Sequence, residues 1–202
     1  TIGTGITKVE FYDGNSFIGT STEAPYTLKA TALSQGVHGM YAKIYVGDNF
    51  NVTNIISVQV GEQVPYSGVA IEIPGTIEAG FYDKFEGGIA QGISYVDISP
   101  DNEGDFRPEE YVDAVEVNGE GATVGWISAG EWLEYTINVS QSGLYSFAFR
   151  YASGNSSGGG PFKILVDGVA VSDDISVPST STTSWDVWAT KTIENIPLTE
   201  GT

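Results

Sequence analysis

The sequence predicts an all-β chain built as two β-sandwich domains. Helical periodicity is nearly absent, 26 glycines and frequent Ser and Thr punctuate the chain, and short apolar–polar alternations recur between those turns. At 202 residues the chain is long enough for two units, each with its own core.

The first unit opens with "KVEFYDGNSFIGTS", in which Asp13-Gly14-Asn15 is a turn signal between strand-like runs and predicts a hairpin. Further strands are expected over Pro25–Ala30, Gly39–Val46 and Val52–Val60, each alternating apolar and polar residues. That makes about five strands, fewer than the seven of a full immunoglobulin-type sandwich. "GEQVPYSG", Gly61 to Gly68, is polar and carries Pro65, so the boundary is expected there. Residues 1–62 then form the first domain, 63–69 a linker and 70–202 the second domain.

In the second domain, strands are expected at Thr76–Gly80, Val112–Val117, Ala122–Ile127, Trp132–Val139, Gly143–Ala152, Phe162–Val166 and Trp185–Thr192. Such a series of short strands with glycine turns predicts a jelly-roll sandwich.

Charge and composition exclude several function classes. Eight Lys and Arg against 26 Asp and Glu leave a formal net charge of −18, which repels nucleic acid and anionic membranes over most of the surface. Without cysteine there is neither a disulfide nor a thiolate metal site. The apolar runs are too short and interrupted for a transmembrane helix. "TIGTGITKVE" lacks the basic, apolar start of a signal peptide, as a mature secreted protein also would.

Catalytic constellations are sparse. The single histidine, His38, sits in "QGVHGMY" with no nucleophile motif nearby and reads as structural. Glu131 and Glu134 in "GEWLEY" point to opposite faces of a strand, a poor start for a glycosidase pair. "SGNSSGGG" lacks the Lys-Ser/Thr of a phosphate loop, and the acidic stretch Asp97–Asp113 lacks EF-hand spacing.

Aromatic residues are more informative, because rigid flat rings stack on the apolar C–H faces of sugars at low entropic cost. Phe106 stands in a loop of Asp, Glu, Gly and Arg where a core role is hard to arrange. In "TSWDVWAT" a strand would send Trp185 and Trp188 to opposite faces. The alternation around Trp126, Trp132 and Tyr135 favours core packing for those three.

From "IPGTIEAGFYDKFEGG" through "GISYVDISPDNEGDFRPEEYVDAVEV", "VGWISAGEWLEYTINV" and "GLYSFAFRYASG" to "SWDVWAT", the chain resembles a family 6 carbohydrate-binding module. The resemblance implies a non-catalytic β-sandwich, appended to a secreted enzyme acting on xylan, β-glucan or a marine galactan such as agarose. It implies a polysaccharide partner, an extracellular location, and two aromatic side chains that sandwich a sugar, falling on Phe106 and Trp185. Phe106 stands where the family commonly has Tyr, so the ring is kept and a hydroxyl is lost. Polar selectivity would then rest on the neighbouring Glu103, Asp105 and Arg107.

The family's "IEAE" start reads "IEAG" here: Glu78 is retained as a calcium-ligand candidate, while Gly80 replaces the second acid. The chain stops at "IPLTEGT", about where the family's last strand begins, so that strand's sugar-binding and calcium-binding residues are not assigned. The opening resembles a bacterial Ig-like domain through "KVEFYDGNSFIGTSTEAPYTL" and "YAKIYVGDNFNVTNIISVQV", covering only its later strands. A fragment of a larger protein is therefore expected, with a catalytic domain elsewhere. The alternatives are a segment of a glycoside hydrolase or lyase acting on the glycan, and an adhesin or scaffold segment.

Overall fold

A computed structural model describes residues 5–31, 33–99 and 101–201. The described residues are nearly all β, and no helix among them is long and apolar enough to cross a membrane.

The first part is one antiparallel sheet of β1 (Lys8–Asp13), β2 (Ser16–Ser21), β3 (Gly36–Val46), β4 (Asn49–Val52) and β5 (Ile56–Val60). Its order is β2-β1-β3-β4, with β5 paired to the other end of β3. The Gly14-Asn15 turn closes the predicted hairpin, with Asp13 opposite Ser16. Pro25–Ala30, expected as a strand, joins no ladder. It packs through side chains instead: Leu28 lies against Gly19, and the Tyr26 hydroxyl donates to the Ile6 carbonyl.

Cross-strand register separates the sheet's two faces. One carries Val9, Phe11 and Asp13 beside Ile44, Ala42 and Met40, with Val9, Ala42 and His38 buried. His38 is structural: Nε2 meets the Ser34 carbonyl at 2.9 Å and Nδ1 meets Asp13 Oδ2 at 2.5 Å. The Ser34 carbonyl first, and then Asp13, raise its pKa. The other face is a ladder of side chains in which Glu10 accepts hydrogen bonds from Lys8, Tyr12 and Tyr45. Those donors, Lys8 foremost, hold the Glu10 carboxyl down at about 2. The Lys43 ammonium sits 4.4 Å from the centre of the Tyr12 ring, which stacks on Tyr41.

Residues 63–69, expected as a linker, carry β6 (Gln63–Val64), which pairs with β8 (Lys84–Phe85) beyond β7 (Ile71–Ile73). Gln63 also donates to Asp83, whose side chain is buried and accepts further bonds from the Thr136 amide and hydroxyl. Those bonds reach both oxygens of the buried carboxyl group, as low-dielectric burial requires of polar groups.

The remaining strands are β9 (Tyr95–Val96), β10 (Ala114–Val117), β11 (Gly121–Val124), β12 (Trp132–Leu133), β13 (Ile137–Val139), β14 (Gly143–Ala152), β15 (Gly159–Phe162), β16 (Leu165–Val166), β17 (Val169–Ala170), β18 (Ile175–Val177) and β19 (Trp188–Leu198). They pair as β9 with β12, β10 with β11, β14 with β19, β15 with β18 and β16 with β17, while β13 runs parallel to β7. Two apolar clusters result, one around Tyr82, Phe85, Ala90, Tyr95 and Val112, the other around Ile73, Val139, Ile196 and Leu198.

Four expectations are corrected here. Thr76–Gly80 is not a strand, and its end enters a 3₁₀ turn at Ala79–Phe81. Trp126 and Trp132 are 62% and 38% exposed, because β12 is only two residues long and Trp126 lies in a loop. Tyr135 packs against the first cluster as expected. The last long strand starts at Trp188, leaving Trp185 in the preceding loop. Trp188 pairs with Ala152 and shares a face with Arg150, whose guanidinium lies 5.9 Å from its ring. This face is opposite the one carrying Tyr145, Phe147 and Phe149, because side chains alternate along β14.

Candidate aromatic binding site

The loop that presents Phe106 is assembled from its own polar residues. Asn102 accepts a bond from the Gly104 amide and donates to the carbonyls of Arg107 and Glu110, while buried Asp113 accepts from the Glu103 amide. Gly104 crosses β10 so closely that a Cβ there would fall 1.9 Å from the Ala114 carbonyl oxygen. One residue pair on, Phe106 N donates to the same carbonyl at 3.0 Å.

Phe106 emerges half-buried beside two other rings. Phe81 stacks on it at 5.9 Å and 24°, Tyr66 approaches at 5.9 Å and 43°, and Tyr66 stacks on Phe81 at 4.6 Å and 20°. Glu103 and Asp105 are exposed in the same loop, and their carboxylates bond to no group among the described residues.

Arg107, expected among the sugar-contacting residues, is instead occupied by the protein itself. Its side chain is 7% exposed, donates to the carbonyls of Gly80, Tyr82 and Asp83, and pairs with Glu110 at 3.4 Å. The guanidinium also lies 3.6 Å from the centre of the Tyr82 ring. Burial raises the Tyr82 phenol, and the nearby arginine charge partly opposes that rise. Arg107 thus ties the Phe106 loop to the Ala79–Phe81 turn, and its left-handed backbone (φ 60°) turns the chain back toward that contact.

Trp185 is presented by a second loop. The Ser181 hydroxyl accepts from the amides of Thr183 and Ser184, and the Ser184 hydroxyl accepts from the Asp186 amide. These are the local side-chain-to-backbone bonds with which Ser stabilises turns at the expense of strand. Thr180 clasps buried Ser153 through bonds in both directions. The loop is therefore held against the "SGNSSGGG" segment. A Cβ on Gly154 would fall 2.8 and 2.9 Å from Trp185 Cε2 and Cδ2, the two atoms shared by the indole's rings. The indole lies over Gly154, and the residue stays 66% exposed. Among the described residues no ring contact joins Trp185 to Phe106.

The paired-acid alternative finds no support in Glu131. Its two carboxylate oxygens accept bonds from the amides of Ile98 and Ser128 and brace a turn.

Comparison with known proteins assigns the chain. The profile of Carbohydrate binding module (family 6) matches residues 93–202, more than half of the chain. The chain belongs to that family. A Bacterial Ig domain profile matches residues 1–42. Membership in family 6 brings carbohydrate binding without catalysis and a β-sandwich fold. No curated protein matches. Among solved structures, the fibronectin(III)-like modules of Clostridium thermocellum CbhA match at 20% identity and a TM-score of 0.28, over 44% of this chain and 52% of that one.

The resemblance made calcium possible at Glu78, and one carboxylate oxygen of that residue is engaged by the protein itself. Calcium takes about six to eight oxygen ligands. Glu78 Oε2 accepts a bond from the Ala122 amide at 3.1 Å, and Gly80 offers no side chain. No group of three or more His, Cys, Asp or Glu side chains suited to a metal occurs among the described residues.

Sequence reasoning missed Tyr66, Phe81, Gly80 and Gly154 as parts of the two ring sites. "GFYDKF" advertised an aromatic cluster, but nothing local in "PYSG" or "SGN" indicated which ring it would meet.

Proposed function

We propose that this module holds a polysaccharide non-catalytically by stacking sugar rings on Trp185 and Phe106, and so targets an attached secreted enzyme to its substrate. The observation that carries the reading is Trp185, an indole supported by Gly154 and left 66% exposed by a hydrogen-bonded loop. An exposed, preorganised ring loses little entropy on binding. Glu103 and Asp105 supply acceptors for sugar hydroxyls beside Phe106, and Arg107 positions that ring without touching the sugar. β-Glucan, xylan and agarose are the candidate substrates. The Ig-like part serves as a spacer, and tethering raises the effective concentration of the enzyme at the polysaccharide.

Titration calorimetry with laminarin, xylan and agarose oligosaccharides tests the reading. Trp185→Ala is expected to abolish binding while the circular dichroism spectrum stays that of the wild type. Undiminished binding would refute the site, and release of reducing ends or unsaturated products by the purified chain would favour a hydrolase or lyase.

A further inference from the structure

The geometry points to a second carbohydrate-binding surface, on the outer face of the first sheet: Phe17 and Phe50 stack sugar rings there, and Lys43 between them pairs with an acid group of the ligand. The ligand class is a mostly neutral polysaccharide that carries isolated carboxylates. This surface lies outside the segment matched by the carbohydrate-binding profile, and its role is independent of Trp185.

Register puts the rings together. Val9 and Phe11 turn their side chains to the face that holds buried Ala42 and His38, so Lys8, Glu10 and Tyr12 look outward with Tyr45, Lys43 and Tyr41 opposite them. The same face continues to Phe17 on β2, opposite Tyr12, and to Phe50 on β4, opposite Tyr45. It crosses four strands, about 14 Å at the ordinary strand spacing, the reach of a short oligosaccharide. Phe17 meets Tyr12 edge-on at 5.6 Å, Tyr12 stacks on Tyr41 at 5.1 Å and 7°, and Phe50 meets Tyr45 at 5.3 Å. The three tyrosines between are half-buried, whereas Phe17 and Phe50 stay 58% and 48% exposed.

Cross-strand pairing by itself accounts for the Tyr12–Tyr41 stack. It does not account for two open rings on either side of a cation. The Lys43 ammonium lies 4.4 Å from the centre of Tyr12 and 5.3 Å from that of Phe50, so it bridges the two groups of rings. Glu10, its cross-strand partner, is already spent on Lys8, Tyr12 and Tyr45, and Lys43 forms no ion pair among the described residues. In a chain with 26 acidic residues, this face thus presents an ammonium that no carboxylate neutralises. The rings suit the apolar faces of sugars, and the ammonium suits an acid group. The net charge of −18 narrows the ligand further: it repels a chain with an acid on every sugar and tolerates one whose acids are far apart.

The test takes the full chain carrying Trp185→Ala and titrates it by calorimetry with xylan oligosaccharides that bear one glucuronic acid. Binding is expected to persist there, and to fall below detection for the same oligosaccharides without the acid. Lys43→Gln on that background is expected to weaken binding about three- to fivefold, the worth of one exposed ion pair, and the difference should close in high salt. Lys43→Arg, which keeps the charge, should bind like its parent. Phe17→Ala together with Phe50→Ala should abolish binding with little change in the thermal melt, because both rings are open. Binding by the wild type that vanishes in Trp185→Ala would overturn the second surface and leave the Trp185 site standing. Binding that persists in Trp185→Ala but ignores the Lys43 and phenylalanine changes would also overturn the second surface, as would silence of the wild type toward the acid-bearing oligosaccharide. Tighter binding of polygalacturonate would overturn the assignment to isolated acids.

Discussion

Gly80 makes the room in which the Phe106 ring lies. A Cβ on Gly80 would stand 3.2 Å from Phe106 Cδ1 and 2.9 Å from the Ala122 Cβ, closer than packed carbon atoms come. The same glycine that removes an acid from the family's opening motif therefore admits a ring. Gly80→Ala is expected to destabilise the fold by about 1–3 kcal/mol through overpacking. It should also displace Phe106 and weaken glycan binding. Thermal melts and calorimetry of the variant check both effects; a variant as stable as the wild type would show that the neighbours yield freely.

Arg107→Lys separates a positioning role from sugar contact. A lysine has no planar fork with which to serve several carbonyls at once, and it would leave buried acceptors unpaired. The expected cost is about 1–3 kcal/mol for a buried acceptor left unpaired. Affinity per folded molecule, measured well below the melting temperature, should fall together with the stability, because the Phe106 loop loses its tie to the Ala79–Phe81 turn. A normal melt with lost affinity would instead place Arg107 on the sugar.

The first sheet carries two opposed pH dependences. His38, facing Asp13 and the Ser34 carbonyl, has a raised folded pKa, so its contribution is complete below about 6.5 and is lost as pH rises through the folded value. Glu10, facing Lys8, Tyr12 and Tyr45, is depressed to about 2 from its ordinary 4.5, so its contribution is complete above that ordinary value and is lost as pH falls toward 2. The sheet should be most stable in the mildly acidic window between those limits. Urea melts across pH, repeated with His38→Gln, check the basic limb, which the substitution should flatten.

Chelation gives a fourth expectation. Glu78 is engaged by the Ala122 amide and faces no second acid from Gly80, so EDTA should change neither the melt nor the affinity. Glu78→Ala should cost about 1–3 kcal/mol by stranding the amide of half-enclosed β11. A melt that drops with EDTA and recovers with calcium would show that oxygens other than these complete a site.

Much of this was legible in the residues. Glycine turns and period-two alternation marked the all-β class, and Asp13-Gly14-Asn15 located its hairpin. The ordered motifs from "IEAG" to "SWDVWAT" carried the family, whereas Phe106, in a polar loop that argued against a core role, is half-buried against Phe81 and Tyr66. The misread segments failed for local reasons. Pro25–Ala30 alternates like a strand but covers the sheet through Leu28 and Tyr26. Trp185 looked like the start of a strand until Ser181 and Ser184 captured the amides around it.

The sequence by itself determined the chemistry on offer: acidic, free of thiols, rich in rings, and patterned for sheets. The tertiary structure alone decided what each ring rests on and which polar groups are free. Alternation reports only which way a side chain leaves its own backbone. The partners of Phe106 and Trp185, namely Gly80, Tyr66 and Gly154, come from distant segments that meet only when the chain closes on itself. For the same reason Arg107, a charged loop residue in the sequence, became a buried strut, and Tyr66, expected in a linker, reached the edge of the candidate site.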